Sequence, residues 1–97
     1  MIIVHDIFIC KPGNGSKMAK MFKEAMAENK ELVNVMTDMT GQFNKVVMVT
    51  QYQSLAEYEQ SFEKYMQHSE EMKKMQETMK GYQDMYISGS REIYRTW

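Results

Sequence analysis

Leucine is nearly missing from this chain, cysteine occurs once, and neither sign of charge is in surplus. Each shortage excludes something. The lone cysteine, Cys10, cannot close an intrachain disulfide, so a disulfide-stapled scaffold is out and a reducing setting is favoured. Twelve Lys plus Arg against 13 Asp plus Glu, scattered along the chain, leave no electrostatic footprint for nucleic acid or an anionic membrane. No apolar run approaches the ~18 residues that a membrane span needs. No charged-then-apolar leader precedes Ile2, so the expected location is cytoplasmic. A Gly-rich phosphate cradle, a metal-ligand cluster and a nucleophile motif are all lacking, which argues against most enzyme classes and against any metal or cofactor. It argues less against an oxygenase that leaves the chemistry to its substrate.

What is present in place of leucine is methionine, 12 residues against the two leucines Leu32 and Leu55. Met is flexible and polarizable, so a Met-rich core is softer and less shape-specific than a Leu core. Its helical spacing marks ordinary core positions; an adaptable apolar pocket or thioether contacts to a soft metal are the alternatives. The 97 residues form one domain, residues 1–97, too small to divide into two cored halves. Pairing with a second copy would hide the apolar surface that so small a domain leaves uncovered.

Ile2 to Cys10 is a β-branched and aromatic run closed by Lys11-Pro12-Gly13-Asn14-Gly15, which reads as a strand and a turn. Apolar residues occur on both of its parities, the sign of burial on both faces. Ser16 suits an N-cap, and Met18, Met21, Phe22, Ala25 and Met26 follow at the spacing of a one-sided helix that ends near Asn29-Lys30. Leu32 to Thr40 and Asn44 to Tyr52 are β-rich runs joined through Gly41-Gln42-Phe43 as a hairpin, the second again apolar on both parities at Val46 to Val49. Ser54-Leu55-Ala56-Glu57 has capping-box spacing and opens a helix with an apolar stripe of Leu55, Tyr58, Phe62, Tyr65 and Met66. Unbroken to Lys80, that helix would be ~40 Å long, against ~30 Å for a nine-residue strand. A break is therefore expected near Gln67-His68-Ser69. Ser69 would cap a second segment whose inner face is Met72, Met75 and Met79, stopped by Gly81. Met85 to Ser88 is a short approach to a last, edge strand from Arg91 to Trp97, and Trp97 is expected to pack on the domain or on a partner.

The order β, α, β, β, α, β, with the first and third strands doubly apolar, matches an α+β, ferredoxin-like four-stranded antiparallel sheet with those two strands in the centre. Helices can cover one face only. The other face calls for a second sheet, so the expected assembly is a homodimer with sheets packed face to face.

Four stretches carry a family likeness: Lys11-Pro12-Gly13 closing the first strand, Thr40-Gly41-Gln42-Phe43-Asn44 before Val46-Val47, Gln51-Tyr52-Gln53-Ser54-Leu55-Ala56-Glu57-Tyr58, and Arg91-Glu92-Ile93-Tyr94. On these the chain resembles the dimeric α+β barrel proteins, in particular their NIPSNAP-like and antibiotic-biosynthesis-monooxygenase-like branches. The resemblance implies one of several roles, since such families include cofactor-independent monooxygenases of polyketide aromatics, haem-degrading enzymes and small proteins of unassigned role. Haem-degrading members use an Asn on the first strand, a Trp near the second helix and a His on that helix. Here the first strand has no Asn and the one Trp is Trp97, which leaves His68 alone as a counterpart.

His5 and His68 are the candidate bases, His5 among apolar neighbours and His68 at the expected break. Adjacent residues on a strand face opposite sides, so His5 and Asp6 cannot act as a dyad. If buried, Asp6 needs a partner, and Arg91 or Arg95 on the last strand is the nearest. Of the six tyrosines, Tyr52 and Tyr58 flank the strand-to-helix junction where a pocket for an aromatic compound would open. Cys10 has no evident base and is read as core. The resulting expectation is a small homodimer that binds an apolar or aromatic molecule between sheet and helices, with Tyr52, Tyr58, Asp6 and Arg91 against it. The alternative is a cofactor-independent monooxygenase or isomerase acting on an aromatic compound, and a third possibility is an interaction module. Light scattering at micromolar concentration is expected to return twice the 11.5 kDa chain mass; a stable monomer would contradict the two-sheet reasoning.

Overall fold

A computed structural model describes residues 1–66 and 70–97. Strand β1 (Ile2–Cys10) is followed by helix α1 (Gly15–Ala25), strands β2 (Leu32–Thr37) and β3 (Lys45–Tyr52), helices α2 (Leu55–Met66) and α3 (Glu70–Thr78), a 3₁₀ turn at Tyr82–Asp84, and strand β4 (Tyr86–Arg95). The four strands make one antiparallel sheet in the order β2-β3-β1-β4, the ferredoxin-like α+β arrangement with the two doubly apolar strands in the middle.

Strand alternation sorts the sheet into two faces. The even residues of β1, Val4, Asp6, Phe8 and Cys10, lie toward the helices, as do their β3 partners Thr50, Met48 and Val46. The core condenses there: Cys10, Met18, Phe22 and Val46 are buried together, and Cys10 Sγ lies 3.4 Å from Met18 Sδ. Phe8 and Phe22 meet at 5.1 Å between ring centroids, and Phe8 also stands edge-on to Tyr86 at 5.0 Å. The odd residues Ile3, His5, Ile7 and Ile9, with Val47 and Val49 of β3, Met36 of β2 and Tyr94 of β4, form the opposite, open face.

Helix α1 starts earlier than Ser16 would have it, with Asn14 at the N-cap position and no side-chain cap. Gly15 is buried at that start, beside the Asn44 backbone. The helix also stops sooner than Asn29, at Ala25. Turns take over there, with Asn29 N–H donating to Met26 O and the Asn29 side chain accepting from Glu31 N–H at 2.9 Å, while Met26 stays buried. The capping box forms: Ser54 Oγ accepts from Glu57 N–H at 3.2 Å, and the Glu57 carboxylate accepts from Gln53 N–H at 2.7 Å.

Strand β2 ends at Thr37 because Asp38 turns to bind Lys45, its side chain accepting from Lys45 N–H at 2.9 Å. A bulge between Leu32 and Asn34 leaves Val33 out of register. Of the long helical stretch, α2 is described as far as Met66 and α3 from Glu70. The residues expected at the break itself, His68 included, lie outside the described ones. Gly81 takes a left-handed φ of 85° after α3, a stop that a side chain would strain. Strand β4 runs from Tyr86 rather than starting at Arg91, because β1 pairs with it along its whole length, with one register shift between Ile9 and Cys10. Trp97 does not pack on the domain: it is fully exposed, with Arg95 5.8 Å from its ring centroid. No described helix is long and apolar enough to cross a membrane.

Met18→Ala should cost ~2–5 kcal/mol through lost burial and a residual cavity, since Met18 is fully buried in the core. Met39→Ala, at a side chain 94% exposed, should stay within about 0.5 kcal/mol. Urea midpoints at constant m-value measure both.

Candidate functional site

Between the sheet and the α2–α3 layer lies a cleft of about 310 Å³. Its floor is the helix-side face of β1 and β3, where Asp6, Met48, Thr50 and Tyr52 come together because strand residues two apart share a face. Phe22 and Met26 of the α1 region, Tyr58 and Phe62 of α2, and Met75 and Met79 of α3 close it. Tyr58 and Phe62 are one helical turn apart, so both rings reach the same wall. A larger trough of about 770 Å³ runs between the end of α1 and α3, but Glu24, Glu28, Glu31, Lys64 and Lys74 line it with both signs of charge, as a solvated surface does. The smaller cleft has what a ligand site needs, apolar walls with a few convergent polar groups.

Those polar groups are Asp6, Arg91 and Tyr58. Asp6 sits opposite Arg91 in the β1–β4 register, and the Arg91 Nε–H donates to Asp6 Oδ1 at 2.5 Å. The carboxylate is nearly buried, its side chain 12% exposed, while the arginine side chain is 47% exposed and forms the mouth. The guanidinium lies 5.7 Å from the Tyr58 ring centroid and 5.5 Å from that of Phe62, a cation over two aromatic faces. Tyr52, Tyr58 and Phe62 follow one another at 5.0 Å spacings. The Tyr58 hydroxyl is shut off from solvent and has no hydrogen-bond partner in good geometry among the described residues; Arg91 lies over its ring and close enough to its oxygen to act on it electrostatically.

Burial pushes the Tyr58 hydroxyl above the usual phenol range; Arg91 pulls it back, and the Asp6 carboxylate adds to the rise. For Arg91, burial by itself favours the neutral form, but the hydrogen bond and charge of Asp6 outweigh it and hold the guanidinium protonated. Cys10 is pushed up by burial, which keeps it a thiol and leaves it in the core.

Four of the residues singled out from sequence, Tyr52, Tyr58, Asp6 and Arg91, therefore line one cleft. His5 is not with them. It faces the open side of the sheet, where its ring stands edge-on to Tyr94 at 5.2 Å, and the Tyr94 hydroxyl donates to Glu92 at 2.9 Å. His68 lies outside the described residues. Phe62, Met48 and Thr50 escaped notice as site residues. Their signals were nevertheless available, Phe62 one turn beyond Tyr58 and Met48 and Thr50 on the parity of Tyr52. Among the described residues no three His, Cys, Asp or Glu side chains gather as metal ligands.

A NIPSNAP family model matches residues 7–88. No curated protein matches the chain in sequence. Solved structures share its fold. An uncharacterized NIPSNAP-like domain protein from Burkholderia xenovorans superposes with a TM-score of 0.77 at 16% identity, over 99% of this chain and 84% of that one. A NIPSNAP family protein from Agrobacterium tumefaciens gives 0.77 at 15% identity, over 97% and 90%. A proposed antibiotic biosynthesis monooxygenase from Nitrosomonas europaea gives 0.62 at 11% identity, over 99% and 98%.

Tyr58→Phe removes an unsatisfied buried hydroxyl while keeping the ring, so stability should be unchanged or raised by up to about 1 kcal/mol. Because the folded-state value of Tyr58 is raised, the fold favours the protonated over the ionised hydroxyl, a preference that costs no stability below the unfolded phenol value of ~10 and lowers it as pH rises from there through the folded value. The alkaline decline in urea midpoint above that pH should be shallower in the variant.

Proposed function

The chain belongs to the NIPSNAP family, and from that premise we propose that it is a homodimeric binding protein for an apolar or aromatic small molecule, held in the cleft between sheet and helices. The observation that carries this reading is the buried, unpartnered Tyr58 hydroxyl inside an aromatic- and Met-lined cleft. A polar group left unsatisfied away from water costs free energy, and a ligand atom that accepts its hydrogen bond recovers that cost. The tyrosine and phenylalanine rings offer stacking faces, and the methionines adapt to the ligand's outline. The dimer is supported by the open sheet face, where the half-buried Ile3, Ile9 and Val47 and the exposed Met36 and Tyr94 form an apolar surface suited to a second sheet.

A second reading is cofactor-independent oxygenation or isomerisation of the bound aromatic. It is favoured by the presence of a hydroxyl that can donate a proton, Tyr58, and a carboxylate that can accept a hydrogen bond, Asp6, at the same cleft, and a proposed monooxygenase shares the fold. In this reading the cleft groups orient the substrate. His5 would act only from the open face.

Native mass spectrometry of the purified protein is expected to show an aromatic compound of fixed mass bound in the complex, released on denaturation. A protein that copurifies with nothing, and whose cleft methionine methyl signals ignore every aromatic added, would sink the binding reading. An oxidised or isomerised product after aerobic incubation would select the enzymatic one.

A further inference from the structure

The charge of the cleft narrows the class of molecule it accepts. Of the described residues that line it, Asp6 and Arg91 are the charged ones, and they are joined to each other. One negative and one positive group in direct contact leave the wall electrically neutral as a pair. The carboxylate is the more deeply placed, on the central strand, and the arginine lies at the mouth with the larger share of solvent. An incoming anion would therefore meet a cation already compensated, and deeper in the cleft it would approach a second negative charge shielded from water. That arrangement is costly in a partly desolvated site.

An uncharged acceptor meets no such penalty. The Tyr58 hydroxyl has a proton to donate and no described partner for it. Arg91 uses its Nε–H on Asp6, and a guanidinium carries further N–H donors on its fork. A carbonyl oxygen placed between them takes these hydrogen bonds and brings no charge. Around it, Phe22, Met48, Met75 and Met79 form an apolar enclosure whose volume of about 310 Å³ suits a small ring system.

We propose that Asp6 is the residue that sets ligand charge in this cleft. By neutralising Arg91 it selects a planar, uncharged aromatic compound bearing a carbonyl-type hydrogen-bond acceptor, and it rejects the corresponding aromatic carboxylate. This rests on the reading of the cleft as a ligand site. It adds that Arg91, which by itself would recruit carboxylates, is prevented from doing so by the residue across the β1–β4 register.

The test compares three probes of similar outline, 2-acetylnaphthalene, 2-naphthoate and naphthalene, by titration at neutral pH against protein labelled with ¹³C at the methionine methyls. Met48, Met75 and Met79 report on the cleft, while Met36 and Met39 report on surfaces away from it. The ketone is expected to move the cleft signals and to bind at least about tenfold more tightly than naphthalene, for the hydrogen bond. It should exceed the carboxylate by a similar factor, for the charge. In Asp6→Asn, nearly isosteric but uncharged, 2-naphthoate should overtake the ketone. Tyr58→Phe should reduce the ketone's advantage over naphthalene severalfold, leaving the part that the Arg91 donors supply. Tighter binding of 2-naphthoate to the wild-type protein, or an unchanged order of affinities in Asp6→Asn, would overturn the proposal. Equal binding of ketone and naphthalene would also overturn it, while leaving the cleft a ligand site. If none of the three moves the cleft methionines, the binding reading fails and this inference fails with it.

Discussion

A side chain on a strand can face only one side of its sheet, and β1, hydrogen-bonded along both edges, has no freedom to escape that rule. The rest of the structure depends on this constraint. It sends Val4, Asp6, Phe8 and Cys10 beneath the helices and Ile3, His5, Ile7 and Ile9 to the other side. A one-residue slip would exchange the two sets, placing Asp6 on the open face and His5 in the cleft. Pairing with β4 then fixes which cation reaches Asp6. Arg91 stands directly across from it in register, whereas Arg95 falls opposite Ile2 at the far end of the strand.

The helical layer converts that register into a site. Met18 and Phe22 seal one end of the sheet as a conventional core, against Cys10 and Val46. Toward the other end α2 is held at the end of β3 by a cap in which Ser54 Oγ accepts from Glu57 N–H and the Glu57 carboxylate accepts from Gln53 N–H, and Tyr58 and Phe62 reach over the same strand face. Helix α3 adds Met75 and Met79. The sheet contributes an ion pair and the helices contribute rings, and the cleft is the space where the two layers do not close completely. Its strongest electrostatic contact and its unsatisfied hydroxyl are therefore neighbours, although they come from opposite ends of the chain.

Much of this was legible in the residues. Two doubly apolar runs named the central strands, because burial on both faces removes the alternation that a half-exposed strand shows. Helical length against strand length called for a break near residues 67–69, which lie between α2 and α3 and outside the described residues. The likeness carried by the four short stretches pointed to the NIPSNAP family, whose model matches residues 7–88. Ends of elements were less legible. Asn14, not Ser16, precedes α1, and it makes no side-chain cap hydrogen bond, so no local cap signal reports where the helix starts. Strand β4 begins five residues before Arg91 because β1 offers it a full-length edge.

The sequence by itself determined the class of fold, the central strands, the amphipathic face of each helix and the tyrosines and charged residues from which a site could be made. These are properties of local period and residue type, and 3.6-residue and two-residue patterns are written in the chain directly. The tertiary structure alone decided which of those residues meet. That Asp6 pairs with Arg91 and not Arg95, that Phe62 joins Tyr58 beneath the same guanidinium, and that His5 is turned away from both depends on strand register and on how two layers pack. Contacts between residues 85 positions apart are set by the whole sheet at once, so no window of sequence contains them.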